Sequence, residues 1–102
     1  YGEGTVTVTL TDSYYNMKEK ILPVMYVVDQ AVEAMKRAGM DPVAAPIRGG
    51  TDGARLSFEG LPCPNLCTGG ENYHGRFEYV PLEDMEQCTE MLVELLYLAH
   101  RP

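Results

Sequence analysis

The sequence predicts an α/β fold, and three observations carry that reading. After residue 20 the elements alternate as helix, strand, helix, strand, helix, an order that predicts parallel strands joined by right-handed crossovers. Thr5-Val6-Thr7-Val8-Thr9-Leu10 alternates without a break, apolar on one face and threonine on the other, as a half-buried strand does. Each later strand-type run leads directly into a loop carrying two or more glycines. In open α/β sheets such loops, leaving the carboxyl ends of the strands, are where ligands bind.

The elements follow in order. The strand over residues 5–10 cannot bury its apolar face alone, so it belongs to a sheet supplied from elsewhere. Asp12-Ser13-Tyr14-Tyr15-Asn16 is polar and aromatic without a period and reads as a connection between two units. Pro23 suits the first turn of a helix, where its missing N–H costs nothing. Val24, Val27, Val28, Ala31, Met35 and Ala38 continue it at three- and four-residue spacing, and Gly39 stands where a C-terminal cap belongs. Val43–Ile47 reads as a short strand, with Pro46 removing one ladder donor. Arg48-Gly49-Gly50-Thr51-Asp52-Gly53 is a loop. Thr51 or Asp52 then caps a brief helix carrying Ala54, Leu56 and Phe58, which Gly60 ends. Pro64–Thr68 reads as another strand, stopped by Gly69-Gly70, and the loop from Glu71 to Val80 holds His74. Pro81 opens the last helix, with Leu82, Met85, Cys88, Leu92, Leu95, Leu96 and Ala99 as its expected apolar face. Glu83, Asp84 and Glu86 near its start and His100-Arg101 at its end match the helix dipole.

Composition narrows the function. A chain of 102 residues fits one small domain, and 45% apolar content is too high for long disorder. The longest apolar-dominated stretch, Met91 to Ala99, is too short for a membrane span and is interrupted by Glu94. Fifteen acidic against eight basic residues give a net charge of −7, which repels phosphate backbones, and no basic patch offsets it. Neither a nucleic-acid nor a membrane partner is therefore expected. Three cysteines, an odd number, without a secretory leader point to a reducing, cytoplasmic setting. Tyr1 leads straight into strand-like sequence, which suggests a piece of a longer protein.

If Val43–Ile47 and Pro64–Thr68 are neighbouring parallel strands, the loops at 48–53 and 69–74 leave from one sheet edge and converge. One offers the Arg48 guanidinium, the other the His74 imidazole. Plainer readings stand beside this one. Glycine pairs usually serve turns, and the first loop is not a phosphate-binding Walker A, because no Gly-Lys-Ser/Thr follows. Cys63 and Cys67, four apart, with Cys88 distant, read as small buried hydrophobes rather than zinc ligands. Met25, Met35, Met85 and Met91 sit at helical spacing and read as core.

The two loops also carry a resemblance. Ile47-Arg48-Gly49-Gly50-Thr51-Asp52-Gly53-Ala54, Gly60-Leu61-Pro62-Cys63-Pro64-Asn65, Thr68-Gly69-Gly70 and Asn72-Tyr73-His74-Gly75, in that order, resemble the aminotripeptidases of the M20 family of dizinc metallopeptidases. The likeness extends to Asp12–Met17 and to the closing helix from Pro81. It implies the C-terminal part of an M20-type zinc-peptidase catalytic domain, with parallel-type strands flanked by helices, preceded by one strand of a lid. On that basis residues 1–16 end the lid and dimerisation domain, and residues 17–102 belong to the catalytic domain. His74 falls on the family's last metal ligand and Arg48 on an arginine of the substrate cleft. The bridging aspartate, the other ligands and the glutamate general base lie upstream in the family, so no catalytic residue is expected in this chain. Two zinc ions, a tripeptide substrate, the N-terminal part of the same enzyme as partner, and a homo-oligomer are what the resemblance implies. The alternative is a non-catalytic α/β binding or dimerisation module that kept the M20 scaffold.

Overall fold

Two helices laid against each other supply four of the six buried hydrophobic residues among those described. The computed structural model describes residues 2–100, and Arg101, expected in the last helical turn, lies outside that range. A short helix α1 spans Lys18–Ile21, with Asn16 Oδ1 accepting from the Lys18 N–H at 2.9 Å. A 3₁₀ turn over Leu22–Val24 takes Pro23 at its start and leads into α2, Tyr26–Arg37. Helix α3 is Asp52–Phe58 and α4 is Leu82–His100.

Helix α2 ends as expected at a glycine with positive φ, Gly39 at 74°. Its buried positions, Ala31 and Ala34, lie three apart and let α4 approach closely. On α4 the buried residues are Cys88 and Met91, and Met91 and Ala34 are fully buried. Two polar contacts fix the pair. Gln87 Nε2 donates to the Ala38 carbonyl at 3.2 Å, and Arg37, paired with Glu33 on its own helix at 2.9 Å, reaches Glu94 at 3.6 Å.

The expected apolar face of α4 is displaced. The buried side of α4 runs through Cys88, Met91 and half-buried Leu95, whereas Leu82, Met85, Leu92 and Leu96 form a second apolar stripe that is exposed. Period alone cannot choose between two stripes on one helix. The methionine reading is corrected likewise: Met91 is core and Met35 half-buried, but Met25 and Met85 are exposed. Of the cysteines only Cys88 is buried; Cys63 is half-buried and Cys67 exposed.

Helix α3 starts where Thr51, one of the two expected caps, accepts from the Ala54 N–H at 3.2 Å, and Asp52 is the first helical residue. Its inner face holds Gly53, Ala54 and Ser57. Ser57 Oγ donates to the Gly53 carbonyl at 2.7 Å and accepts from the Cys63 N–H at 2.9 Å, so the segment after the helix folds back onto it. Gly53 is required by that return: a Cβ there would collide with the Cys63 carbonyl oxygen and sit 2.7 Å from Asn65 Oδ1.

The strands of the expected α/β fold are not formed. Among the described residues there is no sheet, only an isolated antiparallel bridge between Glu71 and Tyr79. Residues 5–10, 43–47 and 64–68 form no strand, and Val6, Val8 and Leu10 are 79, 75 and 91% exposed. The reason is physical. A helix pairs its backbone groups within itself, whereas a strand finds its partners only in a neighbour. These three runs are short, two of them contain proline, and none pairs with another. The radius of gyration is 18.2 Å, against about 13 Å for a closed domain of this length. The accessible surface is 8698 Å², against about 5,700 Å² expected for a compact protein of this mass. No helix among the described residues is long and apolar enough to cross a membrane.

Candidate functional site

His74 stands at the tip of a small closed loop. The Glu71 N–H donates to the Tyr79 carbonyl at 2.9 Å and the Tyr79 N–H returns to Glu71 at 3.2 Å, pinning the two ends together. Within the loop, the Gly75 N–H donates to the Asn72 carbonyl at 2.9 Å, and Asn72 Nδ2 donates to the Phe77 carbonyl at 3.3 Å. The His74 N–H donates to Glu78 Oε2 at 3.1 Å, which leaves the imidazole outside this network. Asn72 and His74 hold φ of 57° and 62°, the left-handed region that Asn and His tolerate better than most residues. The Tyr73 hydroxyl shares a 2.8 Å hydrogen bond with Thr68 Oγ1, tying the tip to the run that precedes Gly69-Gly70. His74 is exposed.

Arg48 lies in the other loop, exposed, and its side chain forms no hydrogen bond or ion pair among the described residues. Beside it is a cleft of about 400 Å³, lined by Tyr14, Tyr15, Ile47, Gly49, Thr51 and Asn65 among others. Asn65 Nδ2 donates to Thr51 Oγ1 at 3.1 Å, and the Tyr14 ring rests against Gly50. Tyr15 packs on Phe58 with centroids 5.6 Å apart, and Lys20 Nζ lies 4.9 Å from the same ring. The stretch read as a mere connection therefore forms one wall of the cleft beside Arg48. Its aromatic content was the available signal, since Tyr14 and Tyr15 interrupt an otherwise polar link.

The His74 loop borders a different depression, of about 420 Å³, lined by Thr68, Gly70, Tyr73, Glu78, Tyr79 and Met85 among others. The two clefts share no lining residue. Convergence of the two loops was expected from parallel strands beneath them, and those strands are not formed.

As to metal, no three His, Cys, Asp or Glu side chains cluster among the described residues as an ion site would need. A lone imidazole on a braced loop fits the donor of one ligand and does not fit a complete site. Comparison with known proteins places these features. Residues 4–98 match peptidase family M20/M25/M40. The chain belongs to this family. Among similar curated M20 proteins, Peptidase T of Clostridium perfringens (strain 13 / Type A) is 60% identical over 96 residues, covering 94% of this chain and 24% of that protein. Peptidase T of Alkaliphilus oremlandii is 57% identical over 98 residues and that of Bacillus licheniformis 54% over 98, each covering 96% of this chain and 24% of the relative. The chain thus spans about a quarter of the length of these relatives.

Proposed function

We propose that this chain is the C-terminal portion of a zinc-dependent aminotripeptidase that releases the N-terminal residue of tripeptides. The observation that carries the reading is identity above half to Peptidase T across nearly the whole chain, loops included. In this reading residues 1–16 close the lid domain and residues 17–102 belong to the catalytic domain. The runs at 43–47 and 64–68 then pair with strands of the remaining three quarters of the enzyme, which brings the Arg48 and His74 loops to one sheet edge.

His74 would contribute a neutral imidazole nitrogen to one ion of a two-zinc site, the other ligands and the general base coming from outside this chain. When bound, the metal pair supplies Lewis acidity toward the peptide carbonyl and lowers the pKa of a bound water. Arg48 would take the terminal carboxylate of the peptide through two parallel hydrogen bonds, a match of planar fork to planar acceptor. Neither residue is the proton-transferring group, so the chain by itself turns over no tripeptide and holds zinc weakly.

The test uses the full-length enzyme. His74→Ala should remove most activity together with about one equivalent of zinc, read by metal analysis. Arg48→Ala should keep both ions and lower kcat/KM by ten- to over a hundredfold, corresponding to a charge-assisted contact of about 1.5–3 kcal/mol. That loss should shrink on a C-terminally amidated tripeptide. Equal losses on acid and amide would remove Arg48 from the carboxylate, and an unchanged zinc content in His74→Ala would remove His74 from the metal.

A further inference from the structure

Outside that site, the chain holds two thiols that the fold brings together from distant positions. Cys88, on the buried seam of α4, donates its thiol to the Cys67 carbonyl at 3.8 Å. The Cys67 side chain is close enough to act on Cys88's titration through a hydrogen bond and through charge. A second contact fixes the register between the two segments. Gly69 lies against Asp84, where a Cβ on the glycine would stand 2.5 Å from the aspartate Cβ. Two residues of chain advance by about 6.6 Å when extended and four residues of helix by about 6.0 Å, so contact of 69 with 84 seats 67 beside 88. The exposures are opposite: Cys67 is exposed and Cys88 buried, with Cys63 half-buried four residues away.

We propose that Cys67 and Cys88 form an intramolecular disulfide when the protein meets a peroxide, with Cys67 the residue attacked first. The Cys67 thiolate displaces hydroxide from hydrogen peroxide, the O–O bond breaks, and the sulfur is oxidised to a sulfenic acid. Cys88 sulfur then attacks that sulfur; the S–S bond forms, the S–O bond breaks, and the departing hydroxide takes the Cys88 proton as water. In sum two thiols and one peroxide give a disulfide and two waters. Exposure sets the order: Cys67 is open to the oxidant, while Cys88 is buried behind it and can reach only the oxidised Cys67 sulfur, which makes it the resolving partner. The bond would clamp the base of the Gly69-Gly70 turn to α4.

The chain itself serves for the test, independently of any role of His74. Cleavage after Arg55 and Arg76 places Cys63 and Cys67 in one peptide and Cys88 in the next. After treatment with a few equivalents of hydrogen peroxide, two of the three thiols should be lost. The two peptides should then run as one linked species that a reductant separates. The link should persist in Cys63→Ser and vanish in Cys67→Ser. A link that survives Cys67→Ser, a Cys63–Cys67 bond, disulfides only between chains, or overoxidation of Cys67 with Cys88 still reduced would each overturn the proposal.

Discussion

The α2–α4 pair and the three extended runs are both rich in aliphatic side chains, and they end in opposite environments. Ala34 and Met91 are sealed from water, while Val6, Val8 and Leu10 are almost wholly in it. The difference lies in where the backbone finds its partners. A helix satisfies itself and then needs one neighbour for its apolar stripe, which this chain supplies. A strand needs a neighbour for its backbone and another layer for its side chains, which these runs do not find here.

The sharpest way to break this comparison uses one helix. Met91→Ala on the buried seam should destabilise by about 2–5 kcal/mol, as large-to-small core changes do, whereas Leu96→Ala on the exposed stripe should stay within about 0.5 kcal/mol. Urea unfolding followed by circular dichroism reads both; a larger loss at Leu96 than at Met91 would mean that the chain packs α4 by its other face. Ser57→Ala comes next, at about 1–3 kcal/mol, because it leaves the Cys63 N–H without its acceptor. Loss of the return onto α3 would appear as faster cleavage near Leu61 by a protease.

A pH series sharpens the helical side. Burial first, then the neighbouring Cys67, raise the Cys88 thiol above its ordinary 9.0. Between the ordinary and the raised value the unfolded chain has lost a proton that the folded chain keeps. Stability from this group is therefore fully present below pH 9 and falls as pH rises through the raised folded value. Denaturation midpoints from pH 7.5 to 10.5 should show the fall, and Cys88→Ala should flatten it. The smallest effect belongs to the extended side. Val6→Thr with Val8→Thr should change stability by less than about 0.5 kcal/mol, since nothing packs on either residue. A clear loss would show that the run does pair in solution, through contact with a second chain.

The helices were legible because their signals are local. Thr51 as cap, Gly39 as stop and Pro81 before the last helix each act within one turn of chain, and each was found where the spacing put it. Helix α1 was missed, since Lys18–Ile21 is four residues long with no apolar period to read. The choice between the two stripes of α4 was not legible, because Leu82, Met85, Leu92 and Leu96 satisfy the same spacing as Cys88, Met91 and Leu95. The small Ala31 and Ala34 opposite decide it, and they lie some sixty residues away. The alternation of residues 5–10 announces a strand but not its neighbour. At the candidate site the loops were readable from their glycines, while the Tyr14 wall beside Arg48 was not, because it depends on how residues 14–17 fold back over residues 45–51.

One backbone angle has a consequence for how this chain can be altered. At φ 62°, position 74 has the conformation that glycine adopts freely and that costs most L-residues about 1–2 kcal/mol. Folding alone would be content without an imidazole there. His74→Gly should therefore leave the bridge between Glu71 and Tyr79 intact and relax the turn it closes. Position 74 can thus be stripped of its chemistry while the loop that presents it keeps its shape, so a silent site and a broken loop become distinguishable in one substitution.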